Sequence, residues 1–235
     1  MVTERTQRRR PATETVTVEA SPARRRFTPP TQEESRWQEC QERNEAAMVR
    51  DGSGKWPLHS CSVDGHTMAQ RFGAFIRSRV LGGRVLDIGC GPQPVASYLA
   101  DTECDYLAGI DPIDGAHPFD FHQGYAEELP YEDGSFTAAL FATSLGHVCD
   151  PARALAEAAR VVRAGGWVLV WETLFPTTEG DTLHPFHLTT ESLTELLSNA
   201  GLTVMVWQGE ASEYAAVFVA AQKGIADLSS PHRTQ

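Results

Sequence analysis

Lysine is nearly absent: Lys55 and Lys223 are the two in the chain, against eighteen arginines. No run of about 18 apolar residues occurs, so no segment reads as a membrane-spanning helix. The N-terminal stretch MVTERTQRRRPATETV lacks the apolar core of about 7 to 15 residues that a secretory leader carries behind its charges. Cysteine is sparse and unpatterned. The five, at positions 40, 61, 90, 104 and 149, are odd in number and without CxxC spacing, which removes support for a disulfide framework or a structural zinc site. A cytoplasmic protein with no membrane partner is the expectation.

Basic charge is also missing from most of the chain. Formal net charge is −11, yet residues 1–26 hold seven Arg and three Glu, which leaves thirteen basic and twenty-eight acidic residues for the rest. An acidic body repels phosphate backbones, so nucleic acid is disfavoured as a partner of the folded part, and only the tail suits one. What is present is ordinary: 235 residues, 41% hydrophobic and 22% charged, enough for one domain with a substantial core.

Residues 1–32, with RRRP and ARRRFTPP, show no apolar periodicity and read as a disordered basic tail. Residues 33–82 read as a helical cover. Trp37, Cys40, Asn44 and Met48 recur at helical spacing, and a second helix is predicted from about Gly65 to Arg79, with Phe72, Phe75 and Ile76 on its stripe. From residue 83 to 222, short apolar runs alternate with helical stretches, the rhythm of a mostly parallel sheet. Strands are predicted at Arg84 to Ile88, Tyr106 to Ile110, Phe136 to Ala142, Trp167 to Glu172, Thr203 to Trp207 and Tyr214 to Ala221, with a weaker one near Phe121 to Gly124. Helices are predicted at Pro94 to Ala100, Pro151 to Val162 and Thr190 to Asn199. Only Gln208 to Glu213 separate the last two strands, too few for a crossover, so they should pair antiparallel. Residues 223–235 read as a C-terminal tail.

The chemistry concentrates at VLDIGCGPQP, residues 85–94, a strand entering a glycine turn and then a helix. Gly89 and Gly91 allow backbone to approach a ligand closely. The third glycine of a dinucleotide fingerprint is replaced by Pro94, which weakens a pyrophosphate reading. Asp87 suits a ligand bearing positive charge, and Asp111, 24 residues on at the next strand end, suits the two hydroxyls of a ribose. A nucleoside without diphosphate follows.

These residues resemble the class I S-adenosylmethionine-dependent methyltransferases, in the small-molecule-like branch described as type 11. The resemblance spans residues 83–222 through VLDIGCGPQP, GIDPID, AEELPYEDGSFTAALFATSLGHVCDP and ALAEAARVVRAGGWVLVWE, in family order. It implies a Rossmann-like fold: a mostly parallel seven-stranded sheet with one antiparallel strand and helices on both faces. It implies S-adenosyl-L-methionine as cofactor. Gly89 and Gly91 would approach its methionine part, Asp87 its ammonium, Asp111 the ribose, Ile113 the adenine face, Ala126 the adenine edge, and Ser144 the methionine tail beside the substrate mouth. One position departs from the pattern. Where the family has an Asp before the alanine, Tyr125 stands here, so Glu127 or the tyrosine hydroxyl would have to meet the adenine amino group.

Methyl transfer from a sulfonium needs positioning first and, for a hydroxyl or acidic carbon, a base. His147 is the candidate base. His184 and His187, in a loop that covers substrate in this fold, are candidate substrate-binding residues. No carboxylate or cysteine completes a metal set with them or with His117 or His122, so no metal is expected. Trp37, Trp56 and Phe72 could pack as core or wall the acceptor. The expected activity is methylation of a small-molecule acceptor; methylation of RNA or protein through the Arg-rich tail, or a non-catalytic nucleoside-binding scaffold, are the rival readings.

Overall fold

The computed structural model describes residues 67–92, 96–180, 184–209 and 216–225. The expected basic tail, the helix with Trp37, and Trp56 lie outside them, as does the chain beyond residue 225. Among the described residues, seven strands form one sheet: β1 (Arg84–Ile88), β2 (Tyr106–Asp111), β3 (Asp120–Gln123), β4 (Phe136–Ala142), β5 (Val162–Thr173), β6 (Leu202–Gln208) and β7 (Ala216–Lys223). Their spatial order is β3-β2-β1-β4-β5-β7-β6. Strands β1 to β5 pair parallel, and β7 runs antiparallel to both β5 and β6.

The central strands are apolar at nearly every position because both faces are covered, and the two-residue side-chain period sorts them. Leu86 and Ile88 of β1, Ala139 and Phe141 of β4, and Val168 and Val170 of β5 share one core with Ala154, Leu155 and Ala158 of α2 (Pro151–Val161) and with Leu193 and Leu197 of α3 (Thr190–Asn199). Val85, Leu140, Leu169 and Phe218 face the other way, onto Phe72, Phe75 and Ile76 of α1 (Thr67–Arg77) and onto Tyr98 and Leu99. Phe72 is therefore core, ringed by Tyr98, Trp171 and Phe218 at centroid distances of 5.4–5.7 Å.

Local chemistry sets the helix ends. Asp150 caps α2 by accepting from the Arg153 N–H at 3.0 Å, with Pro151 at the first helical position. Thr189 and Ser192 cap α3 reciprocally, at 3.1 and 2.9 Å. Two expectations shift. The helix from Pro94 to Ala100 is, among the described residues, one 3-10 turn over Ser97–Leu99, entered from an extended Ala96; too few residues remain before Asp101 to nucleate a longer helix. Strand β5 begins at Val162, five residues earlier than expected, because Arg163 to Gly166 form an irregularity in its pairing with β4 instead of a turn before it.

Candidate active site

Parallel pairing brings the C-terminal ends of β1, β2, β4 and β5 to one edge of the sheet, and the chain order reverses between β1 and β4. That is where an open α/β sheet forms its ligand crevice. Asp87 lies on the α1 face with Val85, and the 3-10 turn places Tyr98 against it. The Tyr98 hydroxyl donates to Asp87 Oδ2 at 2.8 Å, while Oδ1 is buried with no hydrogen-bond partner among the described residues. Burial pushes the Asp87 carboxyl up to about 7; the tyrosine bond opposes the shift and Asp111 adds to it. A buried carboxylate oxygen without a donor is costly. A cation delivered to the crevice would satisfy it.

Gly91 takes φ +69° and its N–H donates to Asp111 Oδ2 at 2.8 Å; Asp111 Oδ1 accepts from the Ile113 N–H at 2.9 Å. The same carboxylate thus fastens the glycine turn and the loop after β2. Each oxygen keeps a second acceptor position, one for each hydroxyl of a diol. Burial raises this carboxyl to about 6 against the pull of those two N–H groups.

Gly89 has a steric reason of its own to be glycine, beside the ligand approach expected of it. At φ +76° a Cβ there would lie 2.4 Å from Ser144 Cβ. Ser144 crosses from the end of β4 and donates its hydroxyl to the Ile88 carbonyl at 2.6 Å, stitching the two strand ends across the crevice. Thr143 beside it holds φ +56°, an uncommon conformation for a β-branched residue, with its N–H bonded to the Trp171 carbonyl at 2.7 Å.

On the adenine side, Ile113 is half-buried, Ala126 buried and Tyr125 exposed. Glu127 is not free to stand in for the missing Asp. Its Oε1 accepts the Cys149 and Asp150 N–H groups at 2.7 and 2.9 Å, securing the start of α2.

His147 ends a 3-10 turn over Leu145–His147 after β4. Its ring stacks on His184 at 4.5 Å, and His187 stacks on Phe175 at 3.7 Å, with 5.9 Å between His184 and His187. The three histidines therefore converge, His147 and His184 face to face and His187 against Phe175. His117 and His122 sit on the far side, with β3 separated from β5 by four strand spacings of about 4.8 Å. His117 packs against Phe119 and Phe121 there. Among the described residues no cluster of three His, Cys, Asp or Glu is arranged to hold a metal ion.

Two residues at this edge are missed by the sequence reading. Tyr98 follows a proline-broken segment and looks like core. Glu172 lies one residue from the end of β5, much as Asp111 ends β2, so the rule that found Asp111 would have found it.

S-adenosylmethionine fits these residues: the unpartnered Asp87 oxygen answers an ammonium and the Asp111 carboxylate answers a ribose diol. The sequence profile described as methyltransferase domain matches residues 86–170. An uncharacterized methyltransferase of Mycobacterium tuberculosis is 41% identical over 99 residues, 38% of this chain and 40% of that protein, so the chain spans about two fifths of the relative's length. Among solved structures, the [4+2]-cyclase SpnF superposes with a TM-score of 0.61 at 20% identity, covering 85% of this chain and 98% of that one. The Burkholderia thailandensis 1,6-didemethyltoxoflavin-N1-methyltransferase, solved with 1,6-didemethyltoxoflavin and S-adenosylhomocysteine, gives 0.59 at 16% identity over 87% and 95%. With the sheet order and the glycine turn, these matches show a Rossmann-like fold shared with S-adenosylmethionine-dependent methyltransferases and a methyltransferase-domain profile over residues 86–170.

Proposed function

We propose that the protein transfers a methyl group from S-adenosylmethionine to a small-molecule acceptor. The observation that carries this is the edge geometry: an unpartnered buried carboxylate oxygen on Asp87 and a diol-matched carboxylate on Asp111, opposite a histidine-lined mouth. When bound, the cofactor supplies an electrophilic methyl on a sulfonium. The chain's own residues do the rest. Asp87 binds the ammonium, with Tyr98 fixing the carboxylate rotamer. Asp111, Ile113 and Ala126 hold the nucleoside, and Ser144 keeps the β1 and β4 ends together beside the methionine tail. His184 and His187 with Phe175 bind an acceptor, and His147 takes its proton.

A small acceptor is favoured over RNA by the acidic body of the chain and by the toxoflavin-type heterocycle that the Burkholderia relative binds. Among the described residues no helix is long and apolar enough to cross a membrane. The test is transfer of labelled methyl from S-adenosylmethionine to a panel of phenols, amines and acidic heterocycles, run beside RNA and protein. Label in a small acceptor that survives deletion of residues 1–30 supports the reading; a salt-sensitive label confined to RNA overturns it.

A further inference from the structure

Glu172 is used by none of the steps above, although it is among the few charged side chains buried in the described residues. It lies one residue from the end of β5, opposite Val217, and is 5% exposed. Its Oε1 accepts the Leu145 N–H at 2.7 Å and the Gly146 N–H at 3.3 Å, both in the turn that carries His147. Leu145 is wholly buried, so core packing on one side and the carboxylate on the other fix that turn. Gly146 marks where the parts converge. A point one Cβ bond out from it lies 3.7 Å from His184 Cδ2 and 4.0 Å from Glu172 Oε2.

The two turn N–H groups would be met as well by a neutral amide oxygen. A charge-bearing group in a nearly dry position asks for a different explanation. Burial drives its carboxyl up to about 7 despite the Leu145, Gly146 and Thr173 N–H groups, which places its charge within reach of neutral pH. The turn it holds carries His147, and the segment after β5 brings His184 against that ring and His187 to 5.9 Å from His184, with Glu179 on the same segment. Strand β4 brings no titratable group, and Lys223 of β7 is tied to the Val162 carbonyl at the other end of β5.

Resting on the methyl-transfer reading, we propose that Glu172 is a positioning residue of the acceptor side. It holds the turn that presents His147 and supplies the negative charge against which the stacked His147–His184 pair takes the acceptor's proton. The acceptors are accordingly those that give up a proton: hydroxyls, amines bearing N–H, and acidic carbons. As the new bond to the methyl carbon forms, the C–S electron pair leaves with sulfur. The electron pair of the acceptor's X–H bond stays on X, and its proton passes to an imidazole nitrogen and later to water. The positive charge lost at the sulfonium is thus carried by the imidazolium, beside Glu172.

The test is E172Q in the full chain, which keeps an oxygen for the Leu145 and Gly146 N–H groups and removes only the charge. Imidazole proton NMR signals, assigned with His147→Asn and His184→Asn, are followed through a pH titration of the ligand-free protein. The proposal predicts that the midpoint of at least one of the pair falls by about half a pH unit or more, roughly threefold in proton affinity. The thermal midpoint and S-adenosylhomocysteine affinity should stay near wild type. Unmoved midpoints in a folded variant overturn it. If E172Q does not fold, wild-type signals must show a second inflection as the carboxyl titrates; single inflections at both histidines overturn it equally. Calorimetry on the same wild-type sample reads the methyl-transfer proposal separately, since absence of S-adenosylhomocysteine binding would strike that reading and leave the histidine coupling to its own result.

Discussion

The Tyr98 hydroxyl donates to one oxygen of Asp87 at 2.8 Å and leaves the other oxygen buried and unpartnered. Tyr98 itself is fixed by the aromatic core against Phe72, so core packing orients a carboxylate at the cofactor edge. Removing only the hydroxyl, in Tyr98→Phe, should preserve the fold and weaken S-adenosylhomocysteine binding by about 1.5 kcal/mol, near tenfold, as for a hydrogen bond to a charged group. Calorimetry at pH 8 reads this. An affinity within twofold of wild type would show that the bond does not orient Asp87 for a ligand.

Asp111→Ala removes the diol acceptor and also releases the Gly91 and Ile113 N–H groups. A loss of about 1.5 to 3 kcal/mol in cofactor affinity is expected. S-adenosylhomocysteine and a 2′,3′-dideoxy analogue, titrated in parallel, separate the two roles. The variant should lose its preference for the diol; an undiminished preference would assign Asp111 to the turn alone.

The ligand-free protein should lose stability as pH rises. Asp87 and Glu172, pushed to about 7, and Asp111, pushed to about 6, all sit above the values they would have unfolded. Between about pH 4 and 7 the folded chain therefore holds more protons than the unfolded chain, and their contribution, complete at the acid end, disappears as pH passes 6 to 7. Thermal midpoints should fall from pH 5 to pH 8, and the fall should shrink in Asp87→Asn. Cofactor binding should run the other way, tightening as Asp87 ionises, while methylthioadenosine, which lacks the ammonium, should show less of this dependence. A thermal midpoint that climbs over this range would contradict the burial of these carboxylates.

Gly89→Ala meets two costs at once, the left-handed φ of +76° and the 2.4 Å approach to Ser144 Cβ. Destabilisation of roughly 2 to 4 kcal/mol is expected. Ser144→Gly in the same chain should recover part of it, the part due to overlap. Chemical denaturation of the four members of that cycle measures the coupling; purely additive effects would place Ser144 elsewhere.

The sheet was legible because both of its faces are buried. The largely apolar stretches 136–142 and 84–88 match β4 and β1 residue for residue, and the Thr189 and Ser192 caps make α3 equally plain. Misjudged segments lack such patterning: Arg163 to Gly166 spell a turn yet lie in β5, where tertiary pairing with β4 overrides local preference. That Asp87, Gly91, Asp111 and Ser144 lie at the strand ends follows from order along the chain. The partners that give them their chemistry do not. That Tyr98 meets Asp87, that Ser144 is what excludes a side chain at residue 89, and that Glu127 serves the start of α2 are contacts across 11 to 56 positions that no local pattern encodes. The histidine stack likewise joins the turn after β4 to the segment after β5.

The central claim is that the edge formed by β1, β2 and β4 is a sulfur-nucleoside site, and calorimetric titration of the wild-type protein with S-adenosylhomocysteine, with NAD as control, tests it most directly. The account predicts micromolar binding of the first, weakened in Asp111→Ala and in Asp87→Asn, and none of NAD. No heat with S-adenosylhomocysteine, or equal binding of NAD, would contradict it.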